Sequence, residues 1–486
     1  MKKKHILAAL LALTLTAVSV PAFELPEDND GQYETPAEEA LFEGKGNALS
    51  PYLIGCAADL VRLSDAVNGG KSAPDGTPYG AAYYRLCGGA DMKNIAFTPI
   101  GTASHPFTGC FDGGFFTVEN LTVNGGFAYA GLFGYVKNGT IRSIRLVGAS
   151  VSVVTSGSEE TSAGLLCGKL ACTDKTKTAG VYDCMVGGTV TAADKTAKKL
   201  YAGGVCGALE SKTAGYTAKI EGAAAEVSVT ASGNKNVCVG GIVGYAGILT
   251  VRVRCVTASG SVHASASAAD GAYSGGIIGS LTAPGSWTPW MASGNGLSEA
   301  LADCDVTIDA AGNTSKNSGN ICGFVSGVDQ DKPENCCATR KSTNRNKESH
   351  FDGTYKAASD AKKTAFYRDT LGFDTNVFYL ADGSLPMLRT KAAAAVRVEE
   401  DGVTVTVRAG GTATDGNCML SLYDLSDGVR RLTGLYEKAF TADGFADTRI
   451  FFPLEALPEG TDMVKAILLD GDAFGLCGIG GTAEIQ

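Results

Sequence analysis

The sequence predicts an all-β protein: a parallel β-helix (solenoid) with an N-terminal capping helix, followed by a small antiparallel β-sandwich. Three observations lead to this fold class. A glycine-flanked apolar motif recurs six times, segments of alternating β-branched residues separate its copies, and the pattern changes after Lys391. Glycine supplies 64 of the 486 residues, near twice its ordinary share of ~7%.

The six motif copies are short apolar stretches with glycine at both ends. They read GLFG, GLLCG, GGVCG, GGIVG, GGIIG and GNICG, and they end at Gly134, Gly168, Gly207, Gly244, Gly279 and Gly323. The steps between these glycines are 34, 39, 37, 35 and 44 residues, a period typical of stacked supersecondary units. Strand segments between the copies are predicted at 140–153, 181–191, 250–263 and 301–308.

A β-helix explains the repeat because one copy is too small to bury its own apolar face. Coils stacked at ~4.8 Å share hydrogen bonds and a continuous interior. We expect the glycines to supply positive φ at tight corners without a Cβ clash. The period favours two rungs of roughly 17 to 22 residues each. A six-bladed propeller competes, but each period shows two strand segments rather than four and lacks the Trp-Asp signature.

The N-terminus reads as a secretory signal peptide over residues 1–22. Three lysines precede a short apolar stretch, and Val20-Pro21-Ala22 resembles a cleavage site. Residues 23–50 read as an acidic, solvated linker. No later stretch approaches the ~20 apolar residues of a membrane span, so we expect no membrane insertion of the mature chain. The C-terminus shows no sorting signal or apolar tail, so retention at a cell surface would be noncovalent.

One amphipathic helix is predicted at 56–68, just before the repeats. Leu60, Leu63 and Val67 fall on one helical face, and Gly69-Gly70 ends the helix. Its expected role is to cover the open end of the β-helix, whose unpaired backbone edge would otherwise invite aggregation. The β-helix itself is assigned to residues 51–392.

Charge and cysteine content restrict the function further. With 41 basic and 51 acidic residues and a pI near 5.1, the chain lacks the basic surface of a nucleic-acid-binding protein. Cysteines recur at equivalent repeat positions, as at Cys167, Cys206 and Cys322, which favours buried apolar side chains. Disulfides and a metal site are the alternatives. The adjacent Cys336-Cys337 pair lies outside this pattern.

Several stretches resemble bacterial secreted and cell-surface proteins with GLUG-type repeats. They are PYLIGCAADLVRLSDAVNGG, FTPIGTASHPFTGCFDGGFFTVENLTV and AGLFGYVKNGTIRSIRLVG within 51–151, and LGFDTNVFYLADGSLPMLR at 371–389. The resemblance implies a stalk or a ligand-presenting region. In IgA-peptidase-like members such β-helices accompany a separate zinc protease domain. This chain has four histidines and no HExxH, so that chemistry is not carried over.

After residue 392 the sequence predicts a sandwich over 393–486. An Ala-rich joint at 392–395 leads into it, and Asp-Gly and Pro-Glu-Gly turns separate its alternating segments. These segments lie at 396–407, 419–423, 449–452 and 464–469. The expected unit is immunoglobulin-like or fibronectin-like, and it resembles the small C-terminal sandwich of clostridial surface proteins. That similarity implies an extracellular accessory domain.

No catalytic constellation is apparent. Glycan cleavage needs paired acids or a carboxylate-calcium cluster with a base. Asp112, Asp183 and Asp303 are interpreted as turn or coil-edge residues, and Arg252 and Arg254 as a solvated wall. We therefore predict no catalytic residues, no metal and no cofactor.

The candidate ligand-binding residues are Trp287 and Trp290, in an insertion at 284–296 that coincides with the longest repeat step. Exposed rings on a projecting loop can stack on sugars or anchor a protein; alternatively, they pack against the coil wall. The leading prediction is a secreted, noncatalytic adhesion protein that binds a glycan or an extracellular protein. A β-helix polysaccharide lyase or glycoside hydrolase is the second interpretation, and an inert spacer is the third.

Overall fold

The computed structural model describes residues 41–484 apart from short segments. These are 157–158, 175, 178, 195, 197–198, 212–216, 249, 268–270, 283–295, 311–315, 327–333, 342–349, 376, 389–391, 400, 409–413, 425–430, 443–446, 454–460, 471–477 and 480–481. The predicted signal peptide and most of the predicted linker therefore lie outside the described residues.

Three parallel sheets form the described part of the β-helix. The first has fourteen strands: β1 Tyr52–Ile54, β2 Tyr83–Leu86, β3 Ala90–Asp91, β4 Cys110–Asp112, β5 Thr117–Glu119, β6 Thr122–Gly125, β9 Thr140–Arg142, β10 Arg145–Thr155, β13 Ala179–Asp194, β16 Ala218–Gly233, β19 Val251–Ala266, β22 Gly296–Ala310, β25 Glu334–Ala338 and β26 Thr354–Tyr355. The second has six: β7 Tyr129–Ala130, β11 Thr161–Gly164, β14 Leu200–Gly203, β17 Val237–Gly240, β20 Ala272–Gly275 and β23 Lys316–Gly319. The third also has six: β8 Phe133–Lys137, β12 Cys167–Cys172, β15 Cys206–Ser211, β18 Val243–Ile248, β21 Ile278–Thr282 and β24 Cys322–Ser326.

One repeat forms one coil of the β-helix. Cys167 lies beside Cys206, and Cys206 beside Val243, so each strand pairs with its counterpart one motif copy away. The prediction of two rungs per repeat is therefore wrong. Strands such as β13 and β16 are long, at 16 residues each, and they take up the residues that a second rung would have used. The continuous parallel pairing also rules out the propeller.

A line of left-handed residues interrupts the long strands at the same place in successive coils. The residues are Ser143, Asp183, Gly222, Cys255, Glu299 and Asn335, with φ between 45° and 75°. Register continues on both sides, as between Tyr182 and Glu221 and between Cys184 and Ala223. A single left-handed residue redirects a strand while keeping its pairing, so one long strand covers two sides of the coil.

The motif glycines serve close packing rather than positive φ. None of the described motif glycines has a left-handed φ, so that part of the prediction is wrong. A Cβ on Gly168 would lie 2.4 Å from the backbone N of Ala130, and one on Gly244 would lie 2.6 Å from that of Ala202. Glycine is required because strands of the second and third sheets approach each other across the corner.

A single hydrophobic core runs through the coils, and one helix joins it near the N-terminal end. Helix α1, Ala57–Asn68, buries Leu60, Leu63 and Val67 in that core. The hydroxyl of Ser64 donates to the carbonyl of Thr98 at 2.7 Å. The last part of the predicted linker contributes as well, since Phe42 is buried among aromatic rings.

The segment at 358–388, which we call the strap, covers an apolar row on the outer side of the first sheet. It contains helix α2 Ala358–Ala361, a π-helical turn Phe366–Thr370, and the antiparallel strands β27 Phe378–Tyr379 and β28 Met387–Leu388. Its Tyr367 and Phe373 pack in one cluster with Met185, Leu301 and Cys337. A 3₁₀ turn at Tyr79–Ala81 completes the helical elements among the described residues.

The strap explains the adjacent cysteines. Cys336 belongs to the inner core, whereas Cys337 belongs to the cluster beneath the strap. Successive strand residues point to opposite faces, so the pair fills two different apolar environments. Cys167, Cys206 and Cys322 are also buried, as predicted.

Two four-stranded sheets follow the strap and share a separate core. The first contains β29 Ala392–Glu399, β30 Gly402–Arg408, β33 Asp447–Pro453 and β35 Gly478–Ile479; the second contains β31 Thr414–Asp424, β32 Arg431–Ala442, β34 Met463–Asp470 and β36 Thr482–Glu484. Val405 and Leu420 from the two sheets meet in this core. The Ala-rich stretch predicted as a joint belongs to β29.

Candidate functional site

The two tryptophans lie outside the described residues. Trp287 and Trp290 fall within 283–295, so their role as ligand contacts stays a prediction.

The aspartates proposed as structural residues make structural contacts. Asp112 accepts a hydrogen bond from the backbone N–H of Gly114 at 2.9 Å and forms an ion pair with Arg142 at 2.9 Å. Asp183 occupies one of the left-handed positions, with φ of 52°. Burial, followed by the charges of Asp374 and Glu221, raises the pKa of Asp183 to about 6.

Asp303 makes a wider network than a turn residue would. Its carboxylate accepts a hydrogen bond from Thr339 and pairs with Arg340 at 3.1 Å and with Lys362 at 2.5 Å. Burial alone would raise the pKa of Asp303, but these partners lower it below its ordinary value. Lys362 belongs to the strap and Asp303 to strand β22, so their ion pair connects the strap to this strand.

Arg252 and Arg254 each pair with a carboxylate on an adjacent coil. Arg252 lies 3.5 Å from Glu221, and Arg254 lies 3.3 Å from Glu299. Both arginines are therefore held along the coil wall.

The outer faces of the second and third sheets meet along a corner that carries paired aromatic rings. Successive residues of a strand point to opposite faces. Since Ala130 and Val136 lie in the core, the residues beside them, Tyr129 and Tyr135, point outward, and the same holds in the other coils. The outward rows are continuous in register from coil to coil. We define the aromatic corner by the rings of these rows: Tyr129, Tyr135, Tyr201, Tyr245, Tyr273 and Phe324.

The rings form three pairs across the corner. The centroids of Tyr129 and Tyr135 are 5.3 Å apart. Those of Tyr201 and Tyr245 are 4.7 Å apart with an interplanar angle of 14°, which is a stacked pair. Tyr273 and Phe324 are 4.8 Å apart. These distances lie within the range for aromatic pairs, so the two rings of each pair are in direct contact.

The ring pairs remain partly accessible. Tyr201 is buried, but the other five rings are only partly buried. Burial raises the pKa of Tyr245 and of Tyr201 above the ordinary value, so both hydroxyls stay protonated at neutral pH. The five partly buried rings leave apolar ring surface accessible, which suits contact with a ligand.

A buried ion cluster lies at the aromatic corner next to the first ring pair. The ammonium of Lys169 lies 2.7 Å from Glu160 and 2.9 Å from Glu210, and 5.6 Å from the centroid of the Tyr129 ring. The side chain of Lys169 is 8% exposed. Burial alone would lower the pKa of Lys169, but Glu210 and Glu160 raise it above its ordinary value. The lysine is therefore charged, and the cluster carries one net negative charge when both acids are ionised.

The two carboxylates of the ion cluster share one partner. Both carboxylates of the cluster are held by the same ammonium, so neither is placed as an independent acid or base. Among the described residues, no group of three or more His, Cys, Asp or Glu side chains is placed to bind a metal ion.

A concavity of about 650 Å³ lies near the C-terminal end of the coils. It is lined by His350, Asp352 and Cys337, among others, and the Nε2 atom of His350 lies 3.4 Å from Asp352. Burial raises the pKa of the Cys337 thiol, which disfavours the thiolate that nucleophilic catalysis requires. We assign it no chemistry.

Sequence reasoning missed the aromatic corner although a signal was present. Aromatic residues recur either two positions before the first motif glycine, as at Tyr201 and Tyr273, or directly after the last one, as at Tyr245 and Phe324. The residues before the motif and those after it are seen to lie side by side only when the register of the coils is known.

The stacked parallel sheets define the class of protein, a parallel β-helix repeat protein. No family model matches the chain. A crystal structure from Bacteroides ovatus, described as a "putative immunoglobulin A1 protease", superposes with a TM-score of 0.54 over 71% of this chain and 94% of that one, at 20% identity. This likeness supports the fold alone. Halomucin of Haloquadratum walsbyi is 33% identical over 149 residues, which is 27% of this chain and 1% of halomucin.

Among the residues that the structure describes, no helix has both the length and the apolar character needed to cross a bilayer.

Proposed function

We propose that the chain is a secreted, noncatalytic surface protein that binds a glycan or an extracellular protein at the aromatic corner. One observation carries the proposal: three ring pairs, five of whose six rings are partly accessible, lie along one corner of a scaffold held rigid by stacked coils. A rigid scaffold reduces the entropy lost when a ligand binds. Partly exposed rings supply apolar contact area with few rotatable bonds.

Three observations support an extracellular location. The N-terminus carries the predicted signal peptide, part of the chain is similar to halomucin, and the fold is that of a protein described as a putative immunoglobulin A1 protease. The domain layout belongs to the same proposal: signal peptide 1–22, linker 23–50, GLUG-like β-helix 51–392 and accessory sandwich 393–486 of immunoglobulin or fibronectin type.

Helix α1 is proposed to cap the N-terminal end of the β-helix. Its apolar face joins the core, and β1, which precedes it, stands at one end of the strand order of the first sheet. A helix at that position shields inward-facing apolar side chains from water and limits pairing with another chain.

A glycan-cleaving enzyme is the second candidate function. It is favoured by the proximity of Glu160 and Glu210, which both bind the ammonium of Lys169. Hydrolysis would require one acid to be released from the lysine, because glycan cleavage needs an acid that can donate a proton to the leaving oxygen.

The test is binding of residues 23–486 to an array of glycans and mucosal proteins, with product analysis on the same spots. We expect a saturable hit without cleavage, and we expect the Tyr245→Ala variant to bind that hit at least about tenfold more weakly. Cleavage products that disappear in Glu160→Gln would establish the enzyme instead. Silence across the array would favour an inert spacer. Trp287 and Trp290 are the alternative proposed contact, and the double variant Trp287→Ala/Trp290→Ala tests them separately.

A further inference from the structure

Six strands of the first sheet carry a second repeated motif, in which a valine lies between two polar residues. The copies read TVN, SVS, TVT, SVT, SVH and DVT, and they are centred on Val123, Val151, Val190, Val229, Val262 and Val306. All of these valines lie in the core. Because successive residues of a strand point to opposite faces, the residues beside each valine point outward.

These outward residues form two columns that run from coil to coil. The strands pair in parallel, without a register shift between the columns' members. Every member is exposed or only partly buried, and we call the two columns together the hydroxyl face. The first column contains Thr122, Ser150, Thr189, Ser228, Ser261 and Asp305, and the second contains Asn124, Ser152, Thr191, Thr230, His263 and Thr307.

The hydroxyl face is a regular array in two directions. Neighbours in one column lie ~4.8 Å apart, and the two columns lie ~6.8 Å apart because two residues of an extended strand separate them. Hydrogen bonds along the first column orient its hydroxyl groups. Thr189 donates to Ser150 at 3.4 Å, and the hydroxyl oxygens of Ser228 and Ser261 lie 2.9 Å apart. Threonine is also stiff about χ1 because it is β-branched, so the array is fixed before any ligand binds.

We propose that the hydroxyl face binds the surface of ice crystals. Water oxygens at an ice surface repeat in two directions at distances close to the two spacings of the face. The hydroxyl groups can therefore occupy positions of lattice waters and form hydrogen bonds at many points at once. An array that is already ordered loses little entropy on binding. This function is separate from the one proposed for the aromatic corner and does not depend on it.

The charge of the hydroxyl face agrees with this occupant. In strands β6, β10, β13 and β16 both columns consist of threonine, serine and asparagine alone, so this part of the face is neutral, as ice is. Charged side chains are costly to separate from their hydration water. They enter the columns only at His263 and Asp305, in the last two strands, so the first four strands form the matching area.

The composition of the hydroxyl face disfavours other occupants. Protein interfaces depend on Trp, Tyr and Arg, and neither column contains one of these residues. Sugar rings stack on aromatic side chains, which the columns lack as well. Nucleic acids and other polyanions need clustered Lys and Arg, and the columns carry neither.

The experiment follows the growth of ice grains in a frozen sucrose solution that contains residues 23–486. We expect the wild type to slow grain growth at micromolar concentrations. Thr191→Lys places a long charged side chain in the second column, and at least about tenfold more protein should be needed for the same effect. Ser228→Thr adds a stiff β-branched side chain to the first column and should lower the concentration needed. Tyr379→Lys, which adds the same charge at a strap position that is 50% exposed, is the matched control and should act like the wild type.

Each outcome supports or overturns the inference. Unslowed grain growth in the wild type, full potency of Thr191→Lys, or an equal loss in Tyr379→Lys overturns it. Melting temperatures establish that the variants fold; if Thr191→Lys unfolds early, Ser228→Thr decides, and potency no better than that of the wild type overturns the inference. An array protein or glycan whose binding is lost in Thr191→Lys would assign the face to that ligand instead. Binding at the aromatic corner is measured with Tyr245→Ala, so either proposal can fail without the other.

Discussion

At the scale of single residues, the last position of each motif copy requires glycine because two strands approach each other closely there. In Gly244→Ala the new methyl group would meet the backbone N of Ala202 at 2.6 Å. Backbone cannot move aside cheaply, so we expect a loss of about 1–3 kcal/mol in the free energy of unfolding, measured by urea denaturation.

Gly187→Ala is the matched control for this prediction. Its Cβ would meet nothing closer than 3.8 Å, so its unfolding free energy should stay within about 0.5 kcal/mol of the wild type. Equal losses in the two variants would show that close packing is not the reason for glycine in the motif.

Asp183 gives a pH-dependent prediction. Its pKa of about 6 in the folded protein exceeds the ordinary 3.8, so its protonated form favours folding and this contribution is lost as the pH rises through about 6. Asp183→Asn keeps a residue that tolerates left-handed φ. We expect its melting temperature to exceed that of the wild type at pH 7 and to match it near pH 4.

Asp303→Asn should show the opposite trend. The pKa of Asp303 is lowered by Lys362, Thr339 and Arg340, so its carboxylate stabilises the fold above the ordinary pKa and loses this effect as the pH falls. The variant should be less stable than the wild type at pH 7, with a smaller deficit in acid. The same trend in both variants would contradict the two assigned environments.

The buried ammonium of Lys169 pairs with two glutamates, and we expect its removal to destabilise the fold. Lys169→Met would leave Glu160 and Glu210, with side chains 13% and 5% exposed, without their cation. We expect a loss of about 3–5 kcal/mol in unfolding free energy. The triple variant with both glutamates changed to glutamine should recover most of it; a triple variant as unstable as Lys169→Met would show that the lysine matters through packing alone.

At the scale of elements, the strap stabilises the outer side of the first sheet. Phe373 is 2% exposed and packs edge-on against Tyr367 and Phe378. Phe373→Ala should cost about 3–5 kcal/mol and should speed proteolysis within the strap. Tyr379→Ala, at an exposed position on the same segment, serves as the control, and identical proteolysis of the two variants would contradict a sealing role.

The elements also show how far the sequence alone could lead. The segments of alternating β-branched residues correctly predicted the long strands, because such alternation marks a strand with one face in the core. Strand β32 was missed because most of its residues from 431 to 441 are exposed or only partly buried, so no alternation marks it. The two-rung prediction failed because left-handed residues such as Asp183 and Glu299 redirect a strand without any glycine to signal the turn.

At the scale of the whole molecule, the stacking of coils brings residues that are distant in the sequence together on one surface. Tyr201 and Tyr245 are 44 positions apart and belong to neighbouring coils, yet their rings stack at 4.7 Å. Motif counting predicted the repeat but not its register, and register decides which side chains face each other. The sequence contains the recurring aromatic positions but does not show that they face each other, whereas the Trp287 and Trp290 loop was proposed from composition and spacing alone.

The most direct test of the account compares two double variants on the ligand found by the array. Tyr245→Ala/Phe324→Ala removes rings from the aromatic corner, and Trp287→Ala/Trp290→Ala removes the rings of the insertion. We expect the corner variant to lose at least about tenfold in affinity while the tryptophan variant binds like the wild type. Full binding by a folded corner variant, with binding lost in the tryptophan variant, would contradict the aromatic corner as the site of recognition.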